Sequence, residues 1–516
     1  MDKTVCELFA GVGGFRLGLD RLQSGWSTVW FSQWEPKASR QWAHECYVSH
    51  FGSSVDARGN DTTGIDVAKV AKEDIPDHNL LVGGFPCQDY SVAHSLCTEQ
   101  GIQGKKGVLW WQIYETLKVK HPPFCLFENV DRLLKSPSTQ RGRDFGIMLS
   151  CFKQLGYSVE WRVVNAATYG AAQRRRRVFI FAYRSDTVFA ASQQGLTPEA
   201  IISRKGFFAG AFPIEGMDVV NSVLLSDNPE KVSDSFRFDF CNAGVMSQEG
   251  LFTTRITEFA EEPILLGEIL ECNVHSQYYI PADQMPKWEY MKGGKKIPRI
   301  AANGHEYMYS EGPVAFPDPW NRPGRTMLTS ESTKNRSTHV VEDPGTHRLR
   351  LLTPREAERL QGFDDDWTAT GMPERMRYFS MGNALVVPMI TRMGRMLDKV
   401  FAKEGSSSQS ANQEDGYEKL CKTLEGVARK GYSILLDDRV AILRQDGAGI
   451  ENDCLLFTAD MFHRGGYDIL PGKDGCAFYL EPTKEGELPH WIDIIQYQRI
   501  RAVDLTCGEA ELGEMD

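Results

Sequence analysis

Metal-binding spacing is missing from this 516-residue chain: its twelve cysteines stand singly, with no CxxC and no Cys/His cluster. Neither a zinc site nor a disulfide framework is therefore expected, no metal is called for, and reduced thiols are the default. Long apolar runs are missing too. Nothing approaches the roughly 18 residues of a membrane span, and the start, MDKTVCELFAG, has no signal-peptide pattern. The expectation is a cytoplasmic protein with no membrane contact. Positive charge is not in excess either, and a net charge of -11 taken alone argues against a polyanionic partner. The distribution of charge points the other way. Residues 417–516 hold 11 basic and 19 acidic side chains, a balance of -8, which leaves 47 against 50, or -3, for everything before them. Basic runs such as KGGKKIPR and GRTMLTSESTKNR can still meet phosphates.

A chain this long exceeds one compact core and suggests two or three domains. One linker stands out, EGSSSQSANQEDG at 404–416, whose composition cannot build a core. Before it, short apolar runs alternate with helical periods, the pattern of a parallel α/β sheet. From about 186 to 325 that alternation gives way to Pro, Gly and aromatic residues, consistent with a separate, irregular lobe. After it, runs such as YSILL, VAILR and CLLFTA read as a small acidic α+β domain.

Four apolar runs carry the chemistry. Thr4 to Phe9 leads into Ala10-Gly11-Val12-Gly13-Gly14 and then a helical period, so the chain reads strand, glycine turn, helix. Such a turn admits a ligand close to the backbone. It lacks the third glycine of GxGxxG, however, and by itself is equally a plain tight turn. Thr28 to Phe31 ends in Ser32-Gln33-Trp34-Glu35, where nucleotide-binding folds place an acid for ribose hydroxyls; S-adenosylmethionine has a ribose and no phosphate. Leu80 to Val82 runs into GGFPCQDYS, where Pro86 halts strand pairing and leaves Cys87 in a loop, free to act as a thiolate nucleophile. Phe124 to Phe127 ends in Glu128-Asn129-Val130. In open α/β sheets ligands sit outside the carboxyl ends of the strands, so Gly11, Gln33, Cys87 and Glu128 are expected to converge on one crevice. The run Gln173-Arg174-Arg175-Arg176-Arg177 precedes another strand. Alternation turns Arg175 and Arg177 to one side, where they can donate to a base carbonyl and keep Cys87 ionised.

Taken in order, ELFAGVGGF, GGFPCQDYS, FENV, QRRRRVF, RLLTPREAERLQGF and MGNALVVP make the chain resemble the DNA (cytosine-5)-methyltransferases of bacterial restriction-modification systems. The blocks cover most of residues 1–400. The resemblance implies a Rossmann-like S-adenosylmethionine-dependent domain of α/β class in two parts, 1–185 and 326–403, around a target-recognition domain at 186–325. The linker 404–416 and a domain of unassigned role at 417–516 follow. It makes Cys87 the nucleophile, Glu128 the group on the cytosine edge, and Arg175 and Arg177 their helpers. Phe9, Gly11, Gly13, Trp34, Asp66, Val67, Pro86, Leu109, Asn383 and Ala384 would surround S-adenosylmethionine. The family usually carries glutamate where Gln33 stands, so either Gln33 or Glu35 would take the ribose.

The implied activity is methyl transfer to C5 of a cytosine flipped out of double-stranded DNA, by a monomer that works alongside a cognate restriction endonuclease. Gln88, Ser91 and the loop from Gly104 to Gly107 would fill the vacated space. Two alternatives stand beside it: an RNA cytosine-5 methyltransferase, and a catalytically silent DNA-binding relative.

Overall fold

The computed structural model describes residues 1–36, 38–85, 109–300, 304–331 and 333–409, together with five strands between 432 and 482. Its centre is a nine-stranded sheet. In chain order the strands are β1 (Thr4–Leu8), β2 (Ser27–Ser32), β3 (Leu80–Gly84), β4 (Phe124–Val130), β5 (Tyr157–Asn165) and β6 (Arg176–Arg184). After the outlying β7 (Ile214–Met217) come β8 (Asn221–Val223), β9 (Ala243–Met246) and β10 (Leu251–Thr254). The spatial order is β2-β1-β3-β4-β6-β5-β9-β10-β8.

Strands β1 to β4 are near-continuous apolar runs because the sheet is covered on both faces. Successive side chains go to opposite sides. Val5, Leu80, Val82, Phe124 and Leu126 join one core, with Phe15 and Leu19 of helix α1 (Gly14–Asp20) and Ile390, Met393 and Leu397 of the long helix Val387–Gln409. Cys6, Leu8, Leu81, Cys125 and Phe127 join the other. There they meet Trp110, Ile113 and Leu117, and Phe145, Met148 and Phe152. These two groups come respectively from α3 (Leu109–Lys120) and α4 (Arg143–Gln154), which follow α2 (Trp42–Phe51) along the chain.

Parallel pairing holds only from β2 to β4; β6 runs antiparallel to β4, and every pairing beyond it is antiparallel. The sheet is mixed rather than parallel throughout. Nor does it stop at residue 185. The fully buried β9 pairs with β5, and β10 and β8 continue outward, so 221–254 extend the catalytic sheet instead of forming a lobe apart. Smaller pairs follow: β11 (Ile256–Glu258) with β7, β12 (Lys295–Ile300) with β13 (Glu306–Glu311), and β14 (Val340–Glu342) with β15 (Leu349–Leu351).

Residues 1–405 form one compact unit and 406–516 another. Helix Val387–Gln409 runs through the start of the Ser-rich segment, since a helix already nucleated on a packed face propagates cheaply through serine and glutamine. Glu404 belongs to the first unit, because its carboxylate accepts the N–H groups of Val188 and Phe189 at 3.1 and 2.8 Å. In the second unit, Tyr432–Asp437, Val440–Gln445 and Cys454–Thr458 make an antiparallel sheet, and Tyr467–Pro471 pairs with Phe478–Pro482.

Candidate active site

Because β1 to β4 run parallel, the loops that leave their carboxyl ends share one edge of the sheet. After β1 the backbone turns sharply, with Phe9, Gly11 and Gly13 all at positive φ (57°, 58° and 90°). A Cβ on Gly13 would stand 2.5 Å from the Phe51 ring, so space and conformation both require glycine. A Cβ on Gly11 would meet nothing within 4 Å. The turn is open on that side, and a ligand can approach its backbone.

Gln33 is buried at the end of β2 and accepts the Gly11 N–H at 2.7 Å. Its amide oxygen is thus committed to holding the turn. Glu35 is half-buried, its pKa raised by that burial, and its carboxylate has no partner among the described residues. Exposed Trp34 lies between them. The Gln33 N–H reaches Thr63 O at 2.9 Å, which brings the loop before Asp66 alongside. Asp66 caps the turn Val67–Lys69 through the Ala68 N–H, and Val67 is buried beneath it.

The last sequence block closes the same side. Asn383 ends the helix Glu374–Asn383 exposed, Ala384 is half-buried, and the Leu385 side chain comes within 2.9 Å of where a Cβ on Gly14 would be. Trp367 donates its indole N–H to Val12 O at 2.8 Å. Leu109 is the half-buried first residue of α3.

Two strands along from β1 lies the acid. Glu128 sits near the end of β4, only 9% exposed, and Arg177 Nε stands 2.6 Å from its Oε1. Register explains the meeting: Arg177 pairs with Val130, two residues beyond Glu128 and hence on the same face. The second oxygen, Oε2, overlies β3, 3.3 Å from where a Cβ on Gly84 would be. Next to it, the Asn129 side chain donates to Phe85 O at 2.8 Å and fixes the backbone where β3 ends. The acid and the entry to the GGFPCQ loop are therefore tied together. Pro86 and Cys87 lie outside the described residues, as do Gln88, Ser91 and Gly104 to Gly107.

Arg175 points inward too, but its guanidinium donates to two main-chain carbonyls, Met327 O and Gly382 O, both at 3.0 Å. Burial and then the neighbouring Arg177 pull its pKa down, with Glu128 opposing. Its Nε is buried without a partner. Arg175 thus joins the segment leading into β6 to the residue preceding Asn383, while Arg177, two residues on, grips the acid. Gln173 does similar work, accepting the Met327 N–H at 2.9 Å and donating to Leu360 O at 3.2 Å. Sequence reasoning misses Asn129 and Gln173 as functional candidates, although each sits inside a motif beside a residue singled out there.

A glycine turn open to a ligand after β1 and a buried carboxylate held by an arginine at the end of β4 thus share the carboxyl edge of one α/β sheet. Residues 3–399 match the family of C-5 cytosine-specific DNA methylases, and the chain belongs to it. It is 49% identical over 402 residues to the type II methyltransferase M.Sau3AI of Staphylococcus aureus, covering 77% of this chain and 95% of that one. Against the type II methyltransferase M.SsoII of Shigella sonnei it is 26% identical over 392 residues, 76% and 79% of the two chains. Against the orphan methyltransferase M.SPRI of Bacillus phage SPR it is 33% identical over 454 residues, 78% and 99%. The fold is accordingly that of a Rossmann-like methyltransferase, and the activity is DNA cytosine-5 methylation. Among the described residues no helix is long and apolar enough to cross a membrane, and no group of three metal-binding side chains occurs.

Proposed function

We propose that the chain methylates a cytosine within a specific duplex sequence through a covalent Cys87–C6 adduct, with S-adenosylmethionine as donor. The observation that carries this is the Arg177–Glu128 pair, beside Asn129, whose side chain holds the Phe85 carbonyl two residues before Cys87 in sequence. When bound, S-adenosylmethionine supplies an electrophilic methyl group. The residues fit it. The open side of Gly11 leaves room for its body; Phe9, Gly13, Asp66, Val67, Leu109, Asn383 and Ala384 would line the crevice, as the resemblance implies for Pro86 too, and exposed Trp34 would offer an aromatic face. Because Gln33 Oε1 is taken by the turn, Glu35 is the carboxylate left for the ribose hydroxyls.

Cytosine C5 is a poor nucleophile until the ring's aromaticity is broken. The Cys87 thiolate adds to C6, and the displaced electron pair is accommodated as Glu128 supplies a proton at N3. The resulting enamine makes C5 nucleophilic, and C5 takes the methyl group. Loss of the C5 proton to a base, elimination of the thiolate and return of the N3 proton to the Glu128 carboxylate restore the ring as 5-methylcytosine. Arg177 keeps Glu128 aimed at the base edge, and Arg175 braces the strand that carries Arg177. The target must leave the helical stack first, at a cost of roughly a few kcal/mol.

Sequence reading falls to 186–325. The ribbon β12–β13 supports that assignment: Ile300, Tyr307 and Met308 are exposed on it, and Arg299 stacks on Tyr309 at 3.8 Å. Two-stranded ribbons of this kind fit the major groove. In the cell the chain would act as a soluble monomer that protects DNA from a cognate endonuclease.

Substrate DNA with 5-fluorocytosine at the target tests the chemistry, because fluorine cannot leave C5 as a proton does. Wild-type protein should form a denaturant-resistant adduct that requires S-adenosylmethionine. Cys87→Ser should form none and transfer no methyl group, since a serine hydroxyl is scarcely ionised and far less nucleophilic. Ordinary methylation by Cys87→Ser, or active wild-type protein that leaves no adduct, would falsify the mechanism.

A further inference from the structure

Four consecutive arginines divide into two pairs. Arg175 and Arg177 turn inward to the carbonyls and the acid described above, while Arg174 and Arg176 are exposed on the other side. The outward pair does not simply spread into solvent. With Arg132, Arg177, Asp131 and Thr326 it lines an open cleft of about 380 Å³. Four guanidinium groups thus face one carboxylate, in a chain whose net charge is -11.

The cleft stands on a fixed frame. The Arg174 N–H donates to Gly324 O at 2.8 Å, and the Thr326 hydroxyl donates to Arg174 O at 2.6 Å. Arg177 donates to Arg176 O at 2.8 Å. Among the described residues Asp131 pairs only with Arg176, at 3.3 Å between half-exposed side chains, a pair that solvent weakens. Arg132 and Arg174 have no carboxylate partner among the described residues. Uncompensated guanidinium groups converging on one concavity suit an anion with several acceptor oxygens.

Arg177 belongs to both sites, lining the cleft and gripping Glu128. Whatever anion enters is therefore adjacent to the base-binding acid. We propose that this cleft clamps a backbone phosphodiester of the DNA strand that carries the target cytosine, with Arg132 and Arg174 as its free donors and Arg176 joining when it releases Asp131. Direct hold of that phosphate would anchor the sugar while the base swings toward Glu128. The proposal rests on the reading of the chain as flipping a base from duplex DNA.

The test begins with wild-type protein and bisulfite sequencing, which fixes the methylated site; no methylated cytosine there would sink the broader reading rather than the cleft. Binding to a duplex containing that site is then measured over a salt series, with single phosphates around the target replaced by neutral methylphosphonate. Arg132→Ala/Arg174→Ala should bind about 10-fold more weakly. The slope of log affinity against log salt should flatten by about 0.9 for each phosphate the variant no longer neutralises. One methylphosphonate position should weaken wild-type binding yet have little further effect on the double variant. Unchanged slope, or losses that simply multiply at every position, would overturn the clamp. Inorganic phosphate at matched ionic strength should displace DNA no better than chloride; selective displacement would assign the cleft to a free anion and equally overturn it.

Discussion

Strands β1 to β4 and the ribbon β12–β13 are both regular β-structure, yet they put their side chains to opposite uses. In the first, both faces are covered and most side chains sit in two cores, so only the strand ends are left open to a ligand. In the ribbon, Ile300, Tyr307 and Met308 are exposed by 69%, 42% and 60%, and its ladder from Lys295–Glu311 to Ile300–Glu306 is not part of the main sheet. Burial fixes where the strand ends point, whereas exposure frees the ribbon's side chains from packing. Substitutions should accordingly damage folding in one region and recognition in the other.

The largest effect is expected at Gly83 in β3, where a Cβ would lie 2.7 Å from Leu8 O, a backbone atom that cannot turn away. Gly83→Ala should lower stability by about 1–3 kcal/mol. It should also weaken binding of S-adenosylmethionine, because pushing back Leu8 displaces the turn at Gly11. Chemical denaturation and cofactor titration measure both, and wild-type values for both would mean the strand ends are less tightly set than their packing implies.

Next in size is the ribbon. Tyr307→Ala/Met308→Ala should leave the melting temperature within about 1 °C of wild type, as surface changes usually do. The preference for the methylated site over a mismatched one should fall about 10-fold, the scale of one base-pair contact. A folded double variant with unchanged site preference would remove the ribbon from recognition.

A smaller effect, dependent on pH, separates the buried strands further. Glu7 in β1 is buried, Tyr47 donates to one of its oxygens at 3.0 Å, and the other has no partner. Burial raises its pKa from 4.5 to about 8. Between those values the folded chain keeps a proton that the unfolded chain has released, so this group favours folding less and less as pH rises through the window. Glu7→Gln, which is neutral throughout, should gain about 1–3 °C in Tm at pH 8 and almost nothing at pH 4.5. Equal shifts at both pH values would show that the side chain's charge is not the cause.

How much of this was legible in the sequence follows the same division. Fully buried runs such as Leu80-Leu81-Val82 and Phe124 to Phe127 announced their strands, and the breaks after them announced the crevice, because parallel strands open all their carboxyl ends on one edge. Strand direction beyond β4 was not legible: an apolar run such as Val178 to Phe181 reads the same in either direction. The continuation into β9 and β10 was hidden because short strands joined by glycine and serine look like irregular sequence. Among the site residues, the alternation that separates Arg175 and Arg177 from their neighbours was readable. That Arg175 spends its donors on the carbonyls of Met327 and Gly382 depends on partners 152 and 207 residues away, which no local pattern encodes.

The smallest effect should come from removing the second unit, provided the cut respects where the first one ends. Every catalytic sequence block precedes residue 400, and residues 1–405 make a compact unit of their own. A cut after Lys403, at the edge of the Ser-rich segment, would nevertheless delete Glu404. That carboxylate satisfies the free N–H groups at the start of the helix Val188–Gln193, a capping role worth about 1 kcal/mol. Ending the chain after Gln409 keeps both the cap and the last turn of the long helix. The 1–409 chain should methylate DNA within about twofold of the full-length rate and melt at the same temperature as residues 1–405 do in the intact protein, whereas the 1–403 chain should be active but melt lower by roughly 2–4 °C. Equal melting of the two truncations would deny Glu404 its cap, and an inactive, folded 1–409 chain would mean that the acidic unit takes part in catalysis after all.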